Sequence, residues 1–253
     1  MQLIDSHCHL DFKDFDDDRD KVLSHCQGLG IQQIIVPGVI ASSWQKLINI
    51  CQQSTILYPA LGLHPMFMEQ HRPEHSIQLN QLIKSHNPIA IGEIGLDFYL
   101  DEHDKKAQIE LFSKQLLIAK ENDLPVILHV RKAHDQTIQL LKQHTVIGGI
   151  VHAFNGSEQH AQQYIKLGFL LGVGGVITHQ KATRLRQLFS QLPLSSLALE
   201  TDAPDMPLAN MDNQRNTPEN IPRILDALSE LRPETRAKIA QQTTENVKRR
   251  LLL

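Results

Sequence analysis

Short apolar stretches alternate with longer amphipathic ones along the whole chain, about eight times in 253 residues. The apolar stretches predict strands over 4–9, 31–36, 56–63, 89–94, 126–130, 147–153, 169–173 and 197–200. Between them the pattern predicts helices over 14–28, 42–52, 74–86, 104–122, 135–143, 157–167 and 181–192, with two more over 219–231 and 233–249. The acidic residues over 14–20 suit the positive end of a helix dipole, so they are expected to open the first helix. Buried strands that each lead into a helix imply a parallel sheet with helices packed outside it. Eight such units in a chain of this length match an α/β fold of the (β/α)8 TIM barrel type with C-terminal helices. A doubly wound open sheet is the alternative, but no G-x-G-x-x-G follows the first strand. No linker or composition break divides the chain, so one domain over 1–253 is expected.

Composition narrows the function classes. Apolar residues at 41% and charged residues at 21% are those of a globular protein, and no apolar run approaches the ~20 residues of a bilayer span. The N-terminus lacks a basic stretch followed by an apolar one, so it does not read as a secretory signal. Cys8, Cys26 and Cys51 form no framework, which points to reduced thiols in the cytoplasm. A net charge of −3 argues against coating nucleic acid through a broad basic surface, yet leaves room to grip one or two phosphates. A monomer is expected, with no membrane contact and no protein partner to infer.

In a barrel, strand C-terminal ends converge on one mouth, and there the chemically capable residues collect. His7 and His9 lie in the first strand, one residue apart, so alternation turns both one way and Cys8 the other. Glu93 ends the fourth strand, His129 the fifth, His152 the sixth and Asp202 the eighth. Any one of these alone would more often be structural. Four histidines and two carboxylates at one mouth need ions or partners to offset desolvation. Two divalent ions fit the set, one on His7, His9 and a carboxylate, the other on His129 and His152, with Glu93 bridging. Such a pair lowers the pKa of a shared water toward ~7 and so supplies hydroxide. Asp202 is suited to hold the first ion and to take the water's proton. Imidazole with carboxylate favours Zn, Mn, Co or Ni over Ca, and Mg stays among the candidates.

These residues sit in recognisable company. His7-Cys8-His9-Leu10-Asp11, Gly62-Leu63-His64-Pro65, Gly92-Glu93-Ile94-Gly95-Leu96-Asp97, Leu128-His129-Val130-Arg131, Val151-His152-Ala153-Phe154-Asn155-Gly156 and Glu200-Thr201-Asp202-Ala203-Pro204 resemble the signatures of TatD-like metal-dependent deoxyribonucleases. Gly172-Val173-Gly174-Gly175 and the residues after Asp202 look most like the YjjV-like branch. The resemblance implies an amidohydrolase-type barrel, a two-metal site of His7, His9, Glu93, His129, His152 and Asp202, and hydrolysis of phosphodiesters at DNA ends, often from the 3′ side. Two positions depart from the pattern: Ala153 and Asn155 stand where the family commonly has Cys or Gly and Ser or Thr. A further departure, at Asn246-Val247-Lys248-Arg249-Arg250-Leu251, concerns packing near the end of the chain.

Phosphate recognition needs donors around the ions. His64, Arg131 and Arg215 are the substrate-binding candidates, Arg215 opening a stretch that resembles the family's R-N-x-P loop. Asp5 and Asp11 are expected to orient ligand imidazoles. His25, His71, His75, His86, His103, His144 and His160 carry no usable spacing. The same site would also suit an ester, amide or aminoacyl-tRNA link, or a metal-binding protein without turnover.

Overall fold

The computed structural model describes residues 1–99, 104–211 and 214–253; His103 lies outside them. Its strands are β1 (Leu3–Asp5), β2 (Ile31–Pro37), β3 (Leu57–Leu61), β4 (Ala90–Asp97), β5 (Val126–Arg131), β6 (Gly149–Val151), β7 (Phe169–Val173) and β8 (Leu197–Leu199). They pair in chain order, every ladder parallel. Beyond the last ladder, the Ser6 N–H donates to Leu199 O at 2.9 Å, and an isolated bridge joins Cys8 to Ala203. These contacts bring the two edges together, giving the TIM barrel that the alternation predicts.

The outer helices are α1 (Arg19–Gly28), α2 (Trp44–Gln52), α3 (Pro73–His86), α4 (Lys105–Glu121), α5 (His134–His144), α6 (Glu158–Lys166), α7 (Thr183–Gln191), α8 (Ile221–Ser229) and α9 (Arg236–Leu251). Among the described residues no helix is long and apolar enough to cross a membrane. The first helix differs from expectation. The acidic run forms a 3-10 turn over Lys13–Phe15, and α1 starts only at Arg19. Its carboxylates are drawn into ion pairs instead: Asp16 with Arg19 at 2.6 Å and Lys46 at 2.8 Å, Asp18 with Arg215 at 2.6 Å. The last helix starts later than the pattern suggests, because the Thr235 hydroxyl caps it by accepting from the Lys238 N–H at 3.2 Å.

Strand alternation divides the core in two. Ile4, Ile35, Ala60, Ala90, Ile127, Ile150, Leu170 and Ala198, one from each strand, form a buried cluster closed by Val247 and Leu251 of α9. Their neighbours Leu3, Ile34, Val36, Leu61, Leu128 and Leu171 pack in the other cluster, with the helices. The inner cluster is therefore a floor inside the barrel. Asn246 fastens α9 beneath it, its amide donating to Leu194 O at 2.8 Å and Leu197 O at 2.9 Å.

Candidate metal centre

Counting two residues along from a floor position reaches the next inward side chain. Ile127 leads to His129 and Arg131, Ile150 to His152, Ala198 to Glu200 and Asp202, and Ala60 through Gly62 to His64. Two strands break this rule. In β1, Ile4 faces the floor, yet Cys8 lies in the outer cluster, so the alternation has changed phase between them. The break is local: Asp5 Oδ1 accepts the His7 N–H at 3.2 Å, a side-chain turn that ends the strand at Asp5. His7 and His9 thereby turn to the mouth, beyond the strand and not within it.

In β4 the ladder shifts register between Ile91 and Ile94, and both isoleucines pack in the outer cluster. Gly92 and Glu93 thus share the inward side of a bulge, a device that re-aims a side chain. Glycine is needed there, since a Cβ at Gly92 would stand 2.6 Å from Ile127 Cβ. β4 continues to Asp97, so Glu93 lies inside its strand rather than at its end. Asp202 lies past β8 at φ 59°, a left-handed conformation that Asp tolerates better than most residues. Its N–H donates to His7 O at 2.9 Å, tying the last segment to the first.

Glu93 is the hub. Its Oε2 lies 3.2 Å from His7 Nε2 and 3.5 Å from His9 Nε2. Its Oε1 lies 3.1 Å from His129 Nδ1, 3.2 Å from His64 Nε2 and 3.8 Å from His152 Nε2. Asp202 faces the same group, Oδ1 3.6 Å from His7 Nε2 and 3.7 Å from His9 Nε2, Oδ2 3.7 Å from His152 Nε2. Three triads bring candidate ligand atoms within 4.8 Å of one another: His7 with His9 and Asp202, His7 with Glu93 and His152, and His64 with Glu93 and His129. The expected sharing of one ion by His129 and His152 is looser, their ring centroids being 6.3 Å apart. His152 stacks on His7 at 3.7 Å, and His129 meets His64 edge-on at 4.3 Å.

The far side of each ring decides which nitrogen is free. His9 Nδ1 faces Pro37 O at 3.2 Å, His152 Nδ1 faces Glu200 Oε1 at 3.1 Å, and His129 Nε2 faces Asp97 Oδ2 at 3.0 Å. An oxygen acceptor holds the ring proton on its own side, so each neutral ring points a lone pair toward Glu93. His64 is the reverse. Its Nδ1 accepts the Met66 N–H at 3.1 Å, which leaves the proton on Nε2 to donate to Glu93. His71 steadies it from behind, donating to His64 O at 2.8 Å.

The charges in this cluster are strongly coupled. Burial works against the Glu93 carboxylate, but the surrounding His64, His7 and His152 hold it well below the usual range. Burial and the neighbouring His152 pull His7 well below the ordinary imidazole value. For His9, burial is outweighed by Glu93 and Asp202, which push it up to about 9. Burial of His152 is likewise outweighed by Asp202, Glu200 and Glu93, which push it up to about 10. Burial pushes Asp202 up to about 6, against the pull of His152 and His9. Positive charge is therefore demanded at the centre of the mouth. His7 Nε2 and His9 Nε2 also stand only 3.2 Å apart, a contact that two lone pairs would make repulsive. A donor set of imidazole nitrogens and carboxylate oxygens converging on that point fits a divalent transition metal.

Other expected residues are placed differently. Arg131 lies on the cavity wall beside the cluster, its guanidinium 3.7 Å from the centroid of the Tyr99 ring. Arg215 is not brought to the cluster; it pairs with both oxygens of Asp18, at 3.0 and 2.6 Å, and covers Phe15. Asp5 touches no imidazole. It clamps the first segment to the last instead, accepting from the His7 N–H, the Thr201 N–H at 3.0 Å and the Thr201 hydroxyl at 2.5 Å. Asp11 Oδ1 is buried with no hydrogen-bond partner among the described residues. The side chains that do orient imidazoles are those of Glu200 and Asp97, neither of which is among the expected site residues. Alternation from Ala198 puts Glu200 on the inner face, and an acidic group in an apolar strand needs a partner, which is the signal for Asp97.

Comparison with known proteins agrees over almost the full length. The family described as TatD related DNase matches residues 4–251. An uncharacterized metal-dependent hydrolase, YjjV of Escherichia coli strain K12, is 42% identical over 248 residues, 97% of this chain and 96% of that one. The crystal structure of YjjV superposes with a TM-score of 0.94, covering 97% of this chain and 96% of the other. The 3′-5′ ssDNA/RNA exonuclease TatD of Erwinia tasmaniensis is 30% identical over 255 residues, 98% of each chain.

Proposed function

The chain belongs to the TatD-related DNase family, and from that premise we propose that it is a divalent-metal-dependent deoxyribonuclease, hydrolysing phosphodiester bonds at DNA ends in the 3′-to-5′ direction. The observation that carries this reading is the Glu93 carboxylate with five imidazoles within 3.8 Å and Asp202 beside them. One domain over 1–253 carries it, and the three buried free thiols suit a reducing cytoplasm. The 30% identical exonuclease supports nucleic acid as the substrate.

His7, His9 and Asp202 would hold one ion, His129 and His152 the other, with Glu93 between them. Two bound divalent ions supply Lewis acidity and a water of lowered pKa. The protein's own groups do the rest. Asp202, at the edge of the cluster and open to the cavity, is the carboxylate placed to accept the attacking water's proton. His64 donates its Nε2–H to Glu93 and fixes that carboxylate's orientation. Asp97 and Glu200 keep the protons of His129 and His152 on the far side of each ring. Arg131 is the cation at hand for a non-bridging phosphate oxygen.

The test is direct. Protein loaded with Mg, Mn, Zn or Co is mixed with 3′-labelled single-stranded DNA, and chelator-sensitive shortening is expected. Intact DNA with all four metals contradicts the reading. One observation favours an ester or amide substrate instead: Arg215 pairs with Asp18 and so is not at the mouth to meet a phosphate. A panel of phosphodiester and acyl substrates separates the two, faster acyl turnover selecting the second.

A further inference from the structure

A cavity of about 350 Å³ opens beside the metal centre, among the segments that follow β5, β6, β7 and β8. His129, His152 and Asp202 form one wall. Most of the remainder is apolar, supplied by Val130, Phe154, Ile177, Leu185, Phe189 and Met206. Its size lies at the small end of the ~300–1,000 Å³ range of ligand pockets, enough for one compact group and not for a run of polymer. Away from Arg131 and the metal end, a phosphate would lose its hydration against such a lining without compensation. The charged part of a substrate therefore stays at the metal end, and whatever enters the cavity is uncharged.

The polar exceptions are Arg131, stacked on Tyr99, and Asn155. Asn155 is held unusually firmly for an exposed loop residue. Asn155 Oδ1 can only accept, so the His134 ring proton sits on Nε2 and donates to it at 3.1 Å. That leaves His134 Nδ1 to accept from the Tyr164 hydroxyl at 3.2 Å. Arg184 fixes the backbone, donating to Asn155 O and Gly156 O, each at 2.7 Å. With Oδ1 occupied, the amide Nδ2 is left without a partner among the described residues, on a side chain that lines the cavity.

We propose that this cavity is a binding subsite for one uncharged aromatic ring system attached to the scissile phosphoester, a nucleobase in the nucleic-acid case, and that Asn155 Nδ2 donates to an acceptor on the ring's edge. The proposal rests on the phosphoester reading of the mouth. Rings suit the walls, where Phe154 and Phe189 offer aromatic surface. It also gives the departure at position 155 a chemical content: an amide puts its free donor on a second atom, apart from the oxygen that His134 holds, whereas a hydroxyl donates from the same oxygen that accepts.

Equilibrium calorimetry on Mn-loaded protein tests this without turnover, using methyl phosphate, phenyl phosphate and thymidine 5′-monophosphate. Phenyl phosphate is expected to bind about tenfold more tightly than methyl phosphate, the return on burying one ring. Val176→Trp and Leu185→Trp fill the cavity from half-buried positions. Each should erase that preference while methyl phosphate affinity, which also reports a folded site, stays within about twofold. Asn155→Ala should weaken thymidine 5′-monophosphate by about three- to tenfold and leave phenyl phosphate unchanged. A wild-type protein that does not prefer the ring, or a preference that survives both filling variants, overturns the subsite. Intact ligand preferences with no hydrolysis of any phosphodiester would instead sink the phosphodiesterase reading and leave the subsite standing.

Discussion

The barrel floor takes one side chain from each strand, and all eight are apolar; one step nearer the C-terminal ends, the same barrel presents imidazoles and carboxylates. The floor gains free energy from burial, roughly 25 cal/mol for each Å² of apolar surface removed from water. The mouth gains little that way. Its buried charges carry a desolvation cost that only opposite charges or ions offset. The two layers thus divide the work: the floor and the outer core hold the shape, and the mouth spends that rigidity on holding like-charged groups together. Small residues make the second possible. A Cβ at Gly172 would overlap the Glu200 carboxylate that supports His152.

Substitutions that separate the layers break or sharpen this contrast. Asp202→Asn is expected to have the largest effect, lowering kcat by about 10²–10⁴-fold in steady-state assays, since it removes the proton acceptor. Ile127→Ala, in the floor, should cost about 2–5 kcal/mol in denaturant unfolding yet leave metal content unchanged. If the floor variant lost metal without losing stability, the division of labour would be wrong. Glu200→Gln is milder: it retains the shape but not the charge that holds the His152 ring proton, so metal affinity should fall about 10–100-fold by competition titration.

The pH dependence of metal binding follows from the same charges. His9 and His152, raised to about 9 and about 10, hold protons at neutral pH when no ion is bound, and an ion must displace them. Metal affinity should therefore rise with pH, releasing about one proton per ion bound and about two for the filled centre at pH below about 9, and level off above about 10. Below about 6, Asp202 also takes a proton and affinity falls further. Calorimetry in buffers of different ionisation enthalpy counts the protons; a pH-independent affinity contradicts this charge arrangement.

The alternation of strand and helix made the barrel legible, and period-two counting within strands made half the mouth legible. His129, His152, His64 and Asp202 follow from Ile127, Ile150, Ala60 and Ala198 by that rule alone. His7, His9 and Glu93 do not follow from floor positions: a side-chain turn at Asp5 and a bulge at Gly92 and Glu93 change the phase, and what marks them in the sequence is the His-x-His pair and a carboxylate in an apolar strand. Arg215 was misplaced for a different reason. Its pairing with Asp18 spans 197 positions in the chain, and nothing local in either segment foretells it. Only the end of the acidic run opens the helix, with Asp18 at the N-cap of α1 and Asp20 in its first turn, and the pair to Arg215 holds the Asp18 carboxylate.

The decisive measurement is the metal-to-protein ratio, by elemental analysis, of the wild type and Glu93→Ala. If Glu93 bridges two ions in the mouth, a ratio near about two should fall to about one or none. An unchanged ratio would remove Glu93 from the bridge.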